Sequence, residues 1–155
     1  MLTAMRRFAF ILGWFWLTMA ALPAADGKIV KVLQHYLDAQ GRHTRSPSLY
    51  ERDAYQAYLR KNPDKRSALR FDIQWRARGA EPSQLKLRME VRGSLAHQDK
   101  PLILEQPVKR NPGLGRWSSV ALEGDAFKQL GEVVAWRATL WAGEQSIAEQ
   151  KSFLW

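Results

Sequence analysis

The chain carries three histidines, His35, His43 and His97, and no cysteine. Zinc-binding imidazoles commonly recur as H-x-x-x-H or H-E-x-x-H, or stand beside cysteine thiolates. Neither spacing occurs here. His35, Asp38 and His43 converge only if the chain bends between them, and ordinary surface roles account for all three, so the sequence assigns no metal. Nucleophilic catalysis finds no G-x-S-x-G elbow, and Ser118-Ser119 falls in an alternating strand pattern rather than at a strand-to-helix turn. Asp38, Glu51, Asp53, Asp72 and Glu90 offer carboxylates, but nothing fixes the separation that glycoside chemistry requires. The "NPGLG" stretch at 111–115 lacks the lysine and following helix of a phosphate-binding loop and reads as a turn. The residues therefore predict no enzyme, no catalytic site and no cofactor. A small secreted hydrolase with an unidentified carboxylate site is the alternative.

Charge says more. The chain has 24 basic and 15 acidic residues, a net charge of +9. Much of the excess lies on the polar faces of two segments, 69–78 and 85–92: Arg70, Arg76, Arg78, Lys86, Arg88 and Arg92, against Asp72 and Glu90. Paired as a hairpin, with Arg70 opposite Glu90 and Asp72 opposite Arg88, these strands neutralise their acids. The candidate anionic-ligand surface is then Arg76, Arg78, Lys86, Arg88 and Arg92. Outside the cell its partners are an anionic polysaccharide, lipopolysaccharide, acidic lipid headgroups or another envelope protein, rather than nucleic acid. A positive surface that only keeps the domain soluble is the competing explanation.

The elements that position these residues are mostly strands. In "LRFDIQWRAR", Leu69, Phe71, Ile73, Trp75 and Ala77 alternate with polar residues. In "QLKLRMEVR", Leu85, Leu87, Met89 and Val91 do the same. A period of two with one apolar face predicts an antiparallel sheet packed on one side and wet on the other. "KIVKVLQHYLDAQG" predicts an early strand whose apolar parity changes between Val32 and Leu33, "KPLILEQPV" a short strand with Pro107 at an edge or end, and "RWSSVALEG" a further strand. "EVVAWRATLW" and "SIAEQKSFLW" flank the turn "AGEQ" as a hairpin. Six or seven strands predict an all-β, antiparallel two-sheet sandwich.

One amphipathic helix, about 48–61, is inserted between the early strands. Ser48 and Glu51 fit a capping box, and Asn62-Pro63 supplies a stop. Tyr50, Ala54, Ala57 and Tyr58 share a face that Tyr55 and Leu59 extend, with Arg52, Asp53 and Gln56 opposite. Such a helix, apolar yet carrying hydroxyl tips, suits the covering of an open sandwich end or edge.

Residues 1–25 have the layout of a secretory signal peptide: Arg6-Arg7, the apolar run Phe8 to Leu22, then Pro23-Ala24-Ala25. The expected location is exported, periplasmic or extracellular, with residues 26–155 as a single domain; an uncleaved N-terminal anchor is the alternative. Without disulfides, the hydrophobic core must carry the stability.

Trp75 in an alternating strand, and the run 120–141 leading into an apolar strand with Trp136, resemble the immunoglobulin-like and fibronectin type III-like sandwiches common in exported bacterial proteins. The likeness covers 67–155 and implies a binding or structural module. It lacks the inter-sheet cysteine pair and the tyrosine corner. The terminal "KSFLW" resembles the last strand of an outer-membrane barrel, but Lys151 and Glu149 share the face of Phe153 and Trp155 and would meet lipid.

Overall fold

The two best-alternating segments are strands, but they do not pair with each other. The computed structural model describes residues 25–95, 100–108 and 116–155; the signal-like segment up to residue 24, His97 and the 111–115 turn lie outside the described residues. In it, β1 (Asp26–Leu37), α1 (Leu49–Lys61), β2 (Ala68–Arg78), β3 (Leu85–Gly93), β4 (Leu102–Pro107), β5 (Trp117–Glu123), α2 (Gly124–Leu130), β6 (Val133–Ala142) and β7 (Gln145–Lys151) follow in order. A three-stranded sheet β1-β2-β5 faces a four-stranded sheet β4-β3-β6-β7, and every pairing is antiparallel. The strands thus form two sheets, as an all-β sandwich requires, and not one closed cylinder.

The hairpin expected between β2 and β3 does not form, because the two strands supply opposite layers of the core. In opposite sheets, Leu69, Phe71, Ile73 and Trp75 bury against Leu87, Met89, Val91 and Leu140 in one core. Each fully buried side chain of this size contributes about 1.5–3 kcal/mol. The link from Gly79 to Gln84, closed by a 3₁₀ turn at Pro82–Gln84, carries the chain across between the sheets.

The parity change expected between Val32 and Leu33 does not occur, since register is regular there; it shifts instead between Ile29 and Lys31, leaving Val30 as the extra residue of a bulge. Ile29 then pairs with buried Trp75, and Val32 and Tyr36, out of phase with Ile29 in sequence, pair with buried Ile73 and Leu69.

The helix α1 packs on β1, the edge strand of the smaller sheet, but on a face rotated from the expected one. Tyr55, Gln56 and Leu59 are buried, whereas Tyr50 is 80% exposed and Tyr58 40%. Gln56 turns inward because its amide bonds the β1 backbone: the Tyr36 N–H donates to Oε1 at 2.8 Å, and Nε2 donates to the Tyr36 carbonyl at 2.9 Å. The capping box does not form. Ser48 makes no side-chain cap, and its N–H donates to the Ser46 hydroxyl, the role expected of Glu51. A second, short helix, α2, which the sequence reading did not foresee, joins β5 to β6.

Candidate anion-binding surface

The β1 bulge decides where the positive charge gathers. Lys28 and Lys31, three residues apart, would point to opposite faces of a regular strand. With Val30 inserted, Lys28 pairs with Arg76 and Lys31 with Gln74, both on the outer face of β2. Arg78 continues that row opposite Asp26, and Trp117 of β5 flanks Gln74 from the other side. Lys28, Lys31, Arg76 and Arg78 are exposed and make no ion pair with a described residue. Lys28 and Arg76 stand directly opposite one another, and such like-charge pairs are destabilising unless something negative intervenes. Asp26, Gly27, Lys28, Arg76, Ala77 and Arg78 enclose a shallow hollow of about 170 Å³.

The remaining candidates lie on the other sheet and are engaged there. Lys86 Nζ and Arg88 Nε donate to Glu105 at 3.1 and 2.6 Å. The Arg88 guanidinium also sits 5.0 Å from the Trp141 ring. Arg92 and Arg137 stack on Trp155 at 4.5 and 4.8 Å, and Arg137 makes a two-pronged bond to Glu90 at 2.5 and 2.9 Å. The expected pairs Arg70–Glu90 and Asp72–Arg88 do not occur, because β2 and β3 belong to different sheets. Of the five predicted residues, the structure brings Arg76 and Arg78 together and separates Lys86, Arg88 and Arg92 from them. Lys28, Lys31 and Trp117 escaped the sequence reading. The sequence carried no signal for the two lysines, because the parity change read at Val32–Leu33 lies beyond the bulge at Val30 that aligns them.

Farther along the same outer face lies a polar cluster around Asp72. His35 Nδ1 and Arg70 Nη2 each donate to Asp72 Oδ2 at 3.0 Å, and the Ser119 hydroxyl donates to Oδ1 at 2.5 Å. These are the residue types of a nucleophilic triad in the wrong order. The carboxylate sits between serine and histidine, so no imidazole is placed to take the serine proton. Arg70 also donates to His43 Nδ1 at 3.1 Å, and the two imidazole rings lie 5.1 Å apart. Since a guanidinium can only donate, His43 must be neutral with its proton on Nε2. That tautomer cannot ligate a metal at either nitrogen while the Arg70 bond stands. Asp38 turns elsewhere, accepting from the Tyr55 hydroxyl at 2.6 Å and from Arg42 Nε at 3.0 Å. Among the described residues, no three histidine or carboxylate groups gather as a metal site.

This cluster predicts an acid-sensitive fold. Burial pushes the Asp72 carboxyl up, but hydrogen bonds from His35 and Ser119 and the charge of Arg70 outweigh it and hold the group at about 2, against an ordinary 3.8. A depressed carboxyl stabilises the fold above the unfolded value, and that stabilisation is lost as pH falls from about 4 to about 2. His43 adds an earlier step. Burial and the Arg70 charge hold it below 6.5, so the unfolded chain takes up a proton that the folded one declines. Urea midpoints should therefore begin to fall below pH 6.5 and fall again below 4. Asp72→Asn should flatten part of the second limb. The rest should persist through Asp38, where burial is likewise outweighed, here by hydrogen bonds from Tyr55, Arg42 and Gln40, leaving it at about 2. An unchanged acid limb in Asp72→Asn would remove Asp72 from this account.

Comparison with protein-family models, curated protein sequences and solved structures returns no match, so the chemistry of this surface is read from its own geometry.

Proposed function

We propose that the chain is an exported, non-catalytic β-sandwich module that binds anionic material of the cell envelope, a polysaccharide or lipid headgroups, through the outer face of the β1–β2–β5 sheet. One observation carries the reading: Lys28, Lys31, Arg76 and Arg78 share that face without an ion pair to a described residue, two of them directly opposed, with Asp26 opposite Arg78 as the one acid in their cross-strand rows. Glu105 and Glu90 engage Lys86, Arg88 and Arg137 on the other sheet, and Asp72 engages Arg70 on this one. Export rests on the signal-like layout of residues 1–25. Seven antiparallel strands divided three and four support kinship with the immunoglobulin-like and fibronectin type III-like sandwiches. One detail narrows it: β4 pairs with β3, whereas the immunoglobulin constant type sets its fourth strand beside the fifth.

Binding of the mature domain to anionic envelope material should weaken in about 0.5 M salt, where screening falls to a few ångströms. Arg76→Glu changes the local charge by two. At about 1 kcal/mol for each charge near an anionic surface, affinity should fall about thirtyfold. Arg88→Glu is the internal control: its positive charge is already spent on Glu105 and Trp141, so binding should change little while the denaturation midpoint drops. Equal losses in both variants would mean that net charge, and not this face, governs association.

A further inference from the structure

We infer that the ligand of this face is a linear acidic polysaccharide lying along β2, with one sugar ring stacked on Trp117 and its acidic groups at the cations beyond. This rests on the proposed anionic reading and names the polymer. Trp117 is 41% exposed, and no ring or guanidinium among the described residues stacks on it. It stands beside Gln74, whose side-chain amide makes no hydrogen bond with a described residue and offers both a donor and an acceptor to sugar hydroxyls.

From the Trp117–Gln74 row, Arg76 lies about 7 Å along the strand and Arg78 about 14 Å, at roughly 3.4 Å per residue. Lys31 and Lys28 run parallel to them on β1. The result is a track with an aromatic platform at one end, cations repeated along it and Asp26 beside Arg78 at the far end, fitted to a chain with repeated charge. A lipid headgroup needs neither the platform nor the length. A bilayer-seeking face would also present apolar wedges among its cations. Among the described residues, this sheet presents as exposed large apolar side chains Val30 at the bulge, 37% exposed, and Trp117, while Leu95, Ile103, Phe153 and Leu154 lie on other elements.

The test is affinity electrophoresis of the mature domain at low salt in gels containing polygalacturonate or neutral dextran. Cosedimentation with vesicles of phosphatidylglycerol and phosphatidylcholine is run alongside. Polygalacturonate, and not dextran, should retard the domain. Trp117→Ala should weaken retardation about tenfold, the scale of uncovering a stacked aromatic face, and Trp117→Tyr, which keeps a ring, should largely retain it. Retardation that survives Trp117→Ala but not Arg76→Glu overturns the stacked polysaccharide and leaves the anionic reading intact. Vesicle binding without polygalacturonate binding does the same in favour of headgroups. Binding to neither anion, or equally to dextran, removes both readings.

Discussion

Gly93→Ala is expected to lower stability by about 3 kcal/mol, near the top of the range for overpacking a closed site. Gly93 ends β3 where the chain passes under the last residue of α2. A Cβ built there overlaps the Leu130 carbonyl oxygen and comes 2.7 Å from both the carbonyl carbon and Cδ1 of Leu130. Backbone cannot swing aside as a side-chain tip can. The neighbouring hydrogen bonds also hold it in place: Ser94 N–H to the Glu132 carbonyl at 2.9 Å, and Leu95 N–H to the Leu130 carbonyl at 3.3 Å. Leu130 itself is fully buried, so α2 cannot lift without opening the core. In a domain of this size the midpoint of thermal unfolding should drop by about 10 °C. Gly143→Ala, in the β6–β7 turn, separates this clash from backbone strain. It has a positive φ of 58° but nothing within 4 Å, and should cost only about 1 kcal/mol. Equal losses in the two would show that α2 yields where the close approach says it cannot.

The sequence made the strands legible and left their partners hidden. Alternation in 69–77 and 85–91 reports that each strand has one buried face, and both do. It carries no information about which sheet supplies the opposing layer, because that choice depends on contacts far along the chain. The short strand ending in Pro107 is an edge strand, as its proline requires, and the C-terminal hairpin pairs as expected. It stops at Lys151, after which the chain turns and Trp155 folds back over Arg92 and Arg137. The α2 segment, "GDAFKQL", is seven residues long, too short for a helical period to stand out from a loop. The charged surface was half visible. Arg76 and Arg78 follow from alternation alone, but Lys28 and Lys31 join them only through a bulge, a local departure that strict periodicity cannot express.

Gln56→Leu is expected to destabilise the domain by about 3 kcal/mol, although the residue lies on the flank of α1 that the sequence marks as polar. The replacement is close in volume and more apolar, so packing alone predicts little change. The loss comes from hydrogen bonds. The edge of β1 offers the Tyr36 N–H and carbonyl outward, and the Gln56 amide answers both as a neighbouring strand would. Its Nε2 also donates to the His43 carbonyl at 2.8 Å. Leucine leaves these groups buried without partners, and each such group costs about 1–3 kcal/mol. Tyr50→Ala removes a far larger side chain from the same helix, but an exposed one, and should stay within about 0.5 kcal/mol. Hydrogen exchange gives a local readout: the Tyr36 amide should lose protection in Gln56→Leu beyond the fall in global stability, and keep it in Tyr50→Ala. If the order of the two variants were reversed, the tyrosines and not the buried amide would fasten this helix to the sheet edge. In the structure, α1 protects β1 by supplying the hydrogen bonds of a missing strand, with Tyr55 and Leu59 closing the apolar gap beside it.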